Sequence, residues 1–254
     1  MLFARLLELS SPANVVAQCP GELTVYEAEG YRWLCSSAAA IQSAMNLADP
    51  SDPVLPNHRA MLLAGLLPGA VASVLDLGMG AGGFLRHLQT WVPAPRITAV
   101  EKSADMLVAA RTHFAVPVDQ PVYRGDAAQF LAAASERFDL VLCDLFSDRS
   151  APDAIYSNVF YADLRARVAD GGAVALNTLP ESADALSSII RQLRGQFAEI
   201  AALQFPDLGN VVLLASADAM PDSATLLGKL GRSRYAGCDD MCRWLKTMIR
   251  VAGR

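Results

Sequence analysis

Short apolar runs alternate with helix-like segments from Val71 onward, and this alternation limits the possible folds more than any other feature of the chain. The apolar runs are VASVLDL, RITAVE, VYR, FDLVLCD and GGAVALNTL, and the segments between them, such as SADMLVAARTHF, carry apolar residues at spacings of three and four. Strands that are apolar on both faces are typical of sheets covered by helices on both sides. Repeated strand-helix-strand units predict right-handed crossovers in a parallel sheet.

The later part of the chain predicts how this sheet is completed. The runs AEIAALQF and NVVLLASA flank the turn sequence PDLG, which predicts an antiparallel hairpin. We therefore expect the α/β class: a Rossmann-like, mostly parallel sheet of seven strands with helices on both faces. After Pro221 the chain is more polar, and a helical pattern extends from about Asp239 to Val251.

A small antiparallel β unit is predicted in front of this sheet. Between Gly21 and Leu47, β-forming residues flank the turn-like pair Glu29-Gly30, and we expect two or three short strands there. The three prolines of LADPSDPVLP then interrupt regular structure. We expect an N-terminal β unit over residues 1–50 and a Rossmann-like nucleoside-binding catalytic domain with a helical C-terminal tail over residues 51–254.

The composition argues against several classes of protein. The formal charge is −5 and the basic residues are scattered, so the chain lacks the basic surface that binds nucleic acid. The five cysteines are odd in number and widely spread, as in reduced proteins, and the three histidines are isolated, so we predict no metal site. MLFARLLELSS lacks the apolar core of a signal peptide, and no apolar run approaches the roughly 20 residues that span a bilayer. We expect a cytoplasmic protein that binds no membrane.

A glycine-rich loop follows the first strand of the predicted large sheet. VLDLGMGAGGF places Gly78, Gly80 and Gly82 between an apolar strand and an apolar helix, directly after Asp76 and Leu77. Glycine allows a tight turn and the close approach of a ligand to the backbone. Because ligands of parallel sheets bind beyond the carboxyl ends of the strands, the loop predicts a nucleoside or nucleotide site. It also fits the pattern GxGxxG, which keeps a nicotinamide-dependent dehydrogenase open as a weaker alternative.

Carboxylates follow three other predicted strands. Glu101 ends RITAVE at the distance where an acid accepts hydrogen bonds from a ribose diol. Asp126 follows VYR, where both capping of the next helix and binding of an adenine amino group are open. Asp144 ends an apolar strand, with Asp148 in the loop beyond it, and burial near other carboxylates fits such an acid for proton transfer. Asp139, at the start of the same strand, is expected to be structural.

These features together resemble the spermidine synthase family of polyamine aminopropyltransferases and its synthase-like relatives. The resemblance extends from about Gly21 to Ala217 and rests on a β unit ending in IQS, the glycine loop, VEKS, GDA and FDLVLCDLFSD. It implies a class I methyltransferase-like fold and a homodimer. It also implies transfer of the aminopropyl group of decarboxylated S-adenosylmethionine to an amine such as putrescine.

The same resemblance implies roles for single residues. Glu101 would hold the ribose, and Asp126 with Ala127 would hold the adenine. Gln42 would contact the tail of the nucleoside or the amine. Asp144 would act as the base that deprotonates the amine before it attacks the methylene beside the sulfonium.

The chain also departs from the family pattern at the predicted amine pocket. Ala81 stands where the family commonly has an aspartate that binds the aminopropyl ammonium. LPNHRAM has Asn57 and His58 where a tyrosine is expected, and FPDLGN lacks the tyrosine of the later hairpin. Asp148, which we expect to bind substrate together with Asp144, lies one residue further along than the family spacing. These differences predict an altered amine pocket.

Two further alternatives to aminopropyl transfer remain open. Asp76-x-Gly78-x-Gly80-x-Gly82 is a motif typical of S-adenosylmethionine-dependent methyltransferases, so methyl transfer is the main alternative. The second is a non-catalytic relative that binds a nucleoside and acts as a partner or regulator. The missing tyrosines favour this second alternative, whereas the retained Asp144 opposes it.

The N-terminal segment MLFARLLEL bears on the predicted homodimer. Its apolar side chains Leu2, Phe3, Leu6 and Leu7 need to be buried. A symmetric dimer interface would bury them, and so would folding back onto the chain's own small sheet.

Overall fold

A computed structural model describes residues 2–36, 40–145 and 157–252, and within these ranges the chain forms two sheets and their surrounding helices. The helices are α1 (Leu2–Glu8), α2 (Pro56–Met61), α3 (Gly83–Leu88), α4 (Ala104–His113), α5 (Ala127–Ala133), α6 (Asn158–Ala166), α7 (Ala183–Arg194), α8 (Ser223–Gly231) and α9 (Asp239–Thr247). The strands are β1 (Val15–Cys19), β2 (Leu23–Ala28), β3 (Tyr31–Cys35), β4 (Ile41–Asn46), β5 (Ser73–Leu77), β6 (Arg96–Glu101), β7 (Val122–Arg124), β8 (Phe138–Cys143), β9 (Val168–Thr178), β10 (Glu199–Phe205), β11 (Asn210–Ser216) and β12 (Ile249–Ala252).

The large sheet has the strand order β12-β10-β11-β9-β8-β5-β6-β7. The five strands from β9 to β7 are parallel to one another, as the alternating pattern predicts. Strands β10 and β11 form the expected antiparallel hairpin, in which Phe205 pairs with Asn210 next to the turn. The α/β class and the mostly parallel Rossmann-like sheet are confirmed.

The C-terminal tail adds an eighth strand, so the expected number of seven is wrong by one. The helix predicted over residues 239–251 ends at Thr247, and Met248 has an extended backbone. Ile249–Ala252 then pairs antiparallel with β10. Without this strand, β10 would be an edge with unpaired N–H and C=O groups, and pairing with the tail satisfies them.

The small sheet is antiparallel, with the order β1-β2-β3-β4. It has four strands, one more than the upper end of the predicted range, because the chain before Gly21 contributes β1. The boundary that we predict at residue 50 lies between the end of β4 and the start of α2. One apolar cluster joins the two sheets: Val25 and Leu34 pack with Ala81, Met106 and Phe114. The small sheet therefore forms one wall of the space next to the glycine loop.

The N-terminal segment folds back onto this small sheet. Leu6 is fully buried in a cluster with Trp33 and Leu55, and Leu2 and Phe3 pack against the same cluster. Leu7 is 39% exposed. Within one subunit, the fold thus already covers three of the four apolar side chains that favoured a dimer interface.

Two further observations concern membrane-spanning helices and the cysteines. In the described ranges, no helix combines the length and apolar character needed to cross a membrane. All five cysteines are free thiols.

Candidate functional site

A cavity of about 560 Å³ lies beyond the carboxyl ends of the parallel strands. The strand order reverses at β5, since β6 lies on one side of it and β8 on the other, and ligands of open α/β sheets bind at such a reversal. Most of the predicted site residues line this cavity, namely Gln42, Gly78, Gly80, Glu101, Asp126, Ala127 and Asp144. Asp76 and Gly82 are buried and are not among the lining residues. Asp148 lies outside the described residues.

Two positions of the glycine loop require glycine because a Cβ there would clash with neighbouring residues. Gly78 has φ 85°, and a Cβ there would lie 2.1 Å from the backbone oxygen of Asp144. Gly82 has φ 75° at the start of α3, and a Cβ there would lie 2.3 Å from Cγ2 of Val116. Gly82 therefore allows close packing behind the cavity, whereas Gly78 lets the loop lie against the segment that carries Asp144.

Glu101 is held at the end of β6 by backbone donors. Its Oε2 accepts a hydrogen bond from the N–H of Gly80 at 2.9 Å, and its Oε1 accepts one from the N–H of Ser103 at 2.8 Å. Each carboxylate oxygen keeps a further lone pair. Glu101 therefore joins the glycine loop to the start of α4 and can still accept hydrogen bonds from the two hydroxyls of a diol.

Asp126 caps α5 and lines the cavity at the same time. Its Oδ1 accepts hydrogen bonds from the N–H groups of Ala128 at 2.9 Å and Gln129 at 3.3 Å, while Lys102 donates to Oδ2 at 3.3 Å. Burial opposes ionisation, but these donors outweigh it and hold the pKa of Asp126 below its usual value. The capping function is therefore present, and Oδ2 remains at the cavity beside Ala127 for an amino group.

Asp76 is a fully buried acid beneath the loop. Within the described residues, neither of its carboxylate oxygens has a hydrogen-bond partner. Burial, followed by the negative charges of Asp144 and Glu101, raises the pKa of Asp76 to about 8. Asp76 is therefore largely protonated at neutral pH.

Asp144 lies at the centre of a hydrogen-bonded group of side chains from four parts of the chain. His58 Nε2 lies 2.9 Å from its Oδ2, and Asn177 Nδ2 donates to its Oδ1 at 2.9 Å. Asn210 Nδ2 donates in turn to Oδ1 of Asn177 at 3.0 Å. Asp139, at the other end of β8, instead accepts bonds from the backbone of Ala72 and Ser73, the structural function predicted for it.

A family model described as a methyltransferase domain matches residues 74–172. A polyamine aminopropyltransferase of Neisseria meningitidis is 29% identical over 160 residues, which cover 61% of this chain and 61% of that protein. A probable spermidine synthase from Corynebacterium glutamicum superposes with a TM-score of 0.70 at 19% identity, over 84% of this chain and 85% of the other. A spermidine synthase in complex with the transition-state analogue AdoDATO gives 0.64 at 16% identity, over 81% and 74%.

The chain is similar in sequence to polyamine aminopropyltransferases. The superpositions establish the fold, which is that of the class I methyltransferases, and the recognition from sequence motifs is confirmed. The match to the Neisseria relative spans about three fifths of that protein's length.

The sequence did not predict a function for three polar residues of the site: His58, Asn177 and Asn210. His58 lies in LPNHRAM, where the sequence indicates only that it stands in place of an expected tyrosine. Asn177 ends the apolar run AVAL, and a polar residue at the carboxyl end of a buried strand is a signal that could have identified it. Asn210 opens β11, and no local pattern marks it.

Proposed function

We propose that the chain transfers the aminopropyl group of decarboxylated S-adenosylmethionine to a small amine such as putrescine. The proposal rests chiefly on the arrangement of three acids around one cavity. Glu101 and Asp126 follow β6 and β7 on one side of the glycine loop, and Asp144 follows β8 on the other. A nucleoside and an amine therefore have separate acidic contacts on either side of a shared centre.

The first side of the cavity, which we call the nucleoside end, comprises the glycine loop, Glu101, Asp126 and Ala127. Its acids have backbone donors that fix their positions and lone pairs that remain for a ribose diol and an adenine amino group. Gln42 reaches the same cavity from β4 of the small sheet, where it suits the tail of the nucleoside. The AdoDATO complex of a spermidine synthase with this fold supports a nucleoside of this kind.

The second side, the amine end, comprises Asp144, His58, Asn177 and Asn210. The cavity is lined here by the apolar side chains of Leu145, Leu179 and Leu208 as well. A carboxylate attracts an ammonium group, while apolar side chains pack against a methylene chain. This combination suits an aliphatic amine.

The reaction needs a proton acceptor and an aligned electrophile. The acceptor ammonium loses one proton, and its nitrogen lone pair forms a bond to the methylene carbon beside the sulfonium. The carbon–sulfur bond breaks with its electrons going to sulfur, which leaves methylthioadenosine. Asp144 supplies the negative charge that favours proton removal, and binding of both substrates in one cavity aligns the attack.

Offering both cofactors tests the proposal. The protein is incubated with decarboxylated S-adenosylmethionine and putrescine, cadaverine or spermidine, and release of methylthioadenosine is followed. The same amines are offered with S-adenosylmethionine, and methyl transfer is followed. We expect release only with the decarboxylated form; methyl transfer alone would replace the proposed reaction and leave the nucleoside site intact.

Methyl transfer is the second candidate function. The match to a methyltransferase domain over residues 74–172 and the order Asp76, Gly78, Gly80, Gly82 favour it. Tight binding of methylthioadenosine without either transfer would instead favour the non-catalytic relative, with Ala81 and the missing tyrosines as the cause.

A homodimer in the cytoplasm completes the proposal. The homodimer rests on the similarity to the polyamine aminopropyltransferases. The N-terminal segment does not add support for it, because this segment is already packed on its own small sheet. Light scattering at micromolar concentration is expected to give twice the mass of one chain. A strictly monomeric mass would exclude the dimer.

A further inference from the structure

The acid at the amine end is paired with a histidine. His58 Nε2 lies 2.9 Å from Asp144 Oδ2, and the two side chains are only 16% and 18% exposed. The second oxygen of Asp144 accepts the amide N–H of Asn177. Both carboxylate oxygens therefore already accept a hydrogen bond from the protein before any substrate arrives.

The hydrogen-bonded neighbours also fix the orientation of the carboxylate. A carboxylate only accepts, so the amide nitrogen of Asn177 must face Asp144, and the amide oxygen then faces the donor Asn210. Asn177 is 3% exposed, so solvent does not compete for its amide. Asp144 is thus held in a fixed orientation towards His58, with a further lone pair on each carboxylate oxygen.

The pairing determines which nitrogen of His58 can receive a proton. Because ionised Asp144 only accepts, Nε2 of a neutral imidazole carries the hydrogen and Nδ1 carries the lone pair. In Ser-His-Asp triads the same division applies: the acid orients the imidazole, and the imidazole receives the proton.

Nδ1 is directed towards the glycine loop. A Cβ placed on Gly83 would lie 3.9 Å from Nδ1, and both residues line the cavity. The imidazole ring packs against Phe84 with centroids 5.0 Å apart, which restrains its plane. Among the described residues, Nδ1 makes no hydrogen bond. Nδ1 therefore lies beside Gly83 at the wall of the cavity, next to the loop where the nucleoside is proposed to bind.

We propose that His58 is the group that accepts the proton of the amine and that Asp144 orients it and stabilises the imidazolium. This inference rests on the proposed aminopropyl transfer. One proton moves from the acceptor ammonium to Nδ1, and the freed lone pair attacks the methylene beside the sulfonium. Methylthioadenosine leaves with the electrons of the broken carbon–sulfur bond, and His58 returns its proton to solvent.

The first test compares two histidine variants of the full chain. His58→Gln keeps an N–H donor for Asp144 but lacks a basic ring nitrogen, and His113→Gln changes a histidine that does not line the cavity. We expect His58→Gln to lower kcat about 10²–10⁴-fold, as loss of a general base does, with His113→Gln unchanged. Calorimetry with methylthioadenosine should give the wild-type affinity for both. Activity of His58→Gln within threefold of wild type would overturn the inference.

Chemical rescue separates proton acceptance from positioning. His58→Ala is assayed with a series of substituted imidazoles of graded base strength, which enter the space of the missing ring. If His58 accepts the proton, the restored rate rises with the base strength of the imidazole. Rescue that is absent or independent of base strength assigns His58 a positioning function and overturns the proposal.

A measurement without turnover distinguishes failure of this inference from failure of the proposed function. Nitrogen-15 NMR of histidine-labelled protein, with the His58→Gln spectrum for assignment, reports the tautomer of His58. Hydrogen on Nε2 is expected, and hydrogen on Nδ1 would overturn the pairing whether or not the enzyme is active. By contrast, a wild type that transfers no aminopropyl group to any amine contradicts the proposed function itself.

Discussion

The nucleoside end and the amine end of the cavity are built in different ways. Glu101 and Asp126 accept hydrogen bonds from backbone N–H groups, several of them only two or three residues further along the chain. Asp144 accepts its bonds from the side chains of His58 and Asn177, which are 86 and 33 residues away. An acid that bonds to nearby backbone depends little on other side chains. The amine end, in contrast, depends on side chains that a single substitution can replace.

Replacing Asp144 should produce the largest difference between the two ends. Asp144→Asn keeps the shape but removes the charge that orients His58 and stabilises the imidazolium, so kcat should fall about 10²–10⁴-fold. The affinity for methylthioadenosine, measured by calorimetry, should stay within about twofold. Asp170→Asn, which changes an acid whose side chain is 94% exposed, is the matched control. A variant at Asp144 that retains most of the activity would contradict the function of this end.

Asp76 lies beneath both ends of the cavity, and its raised pKa should make the free energy of unfolding depend on pH. Its pKa is raised to about 8 by burial and by the charges of Asp144 and Glu101, so between pH 4 and pH 8 the folded protein retains a proton that the unfolded chain releases. The stability of the wild type should therefore fall as pH rises through this range. Asp76→Asn removes this dependence, and it should gain about 4 kcal/mol of unfolding free energy relative to wild type between pH 4 and pH 7.

Urea unfolding at several pH values measures this difference. The unfolding free energies of Asp76→Asn and wild type should be closest below pH 4, where Asp76 is largely neutral in both the folded and the unfolded wild type. A constant difference between the two proteins across the range would show that Asp76 is ionised in the folded state.

Replacing Glu101 should affect the nucleoside end alone. Glu101→Ala removes the acceptor for a ribose diol and leaves the N–H of Gly80 without its partner, so methylthioadenosine binding should weaken by ~1–3 kcal/mol. Once the nucleoside is saturating, kcat should remain within about threefold of wild type. Glu101→Gln, which keeps an oxygen acceptor, should lose less affinity. A large fall in kcat at saturation would mean that the two ends are not separable.

The smallest expected effect is at Asn210, which contacts Asp144 only through Asn177. Asn210→Ala removes one hydrogen bond and should lower the unfolding free energy by ~0.5–1.5 kcal/mol. The turnover rate should fall a few-fold because Asn177 is less well oriented, with nucleoside affinity unchanged. An effect on kcat as large as that of Asp144→Asn would show that Asn210 contacts the amine directly.

The parallel part of the sheet was predictable because each strand is marked by its own residues. Runs such as SVLDL and FDLVLC are mostly apolar, as burial on both faces of a sheet requires. The C-terminal strand was not predicted, because IRVA directly follows a helical pattern and forms a strand by pairing with β10. Strand β1 of the small sheet was likewise not predicted, because its pairing with β2, rather than its composition, makes it a strand.

The sequence by itself determined the fold class, the glycine loop and the three acids at the strand ends. Each of these depends on residues that are close in the chain and on the rule that parallel strands direct their carboxyl ends to one edge. Only the tertiary structure decided the partners of Asp144. His58, Asn177 and Asn210 come from α2, β9 and β11, and no local pattern relates their positions. Side chains far apart in sequence meet only when the strand order and the crossovers place their elements side by side, and hydrogen bonds of about 3 Å depend on that packing.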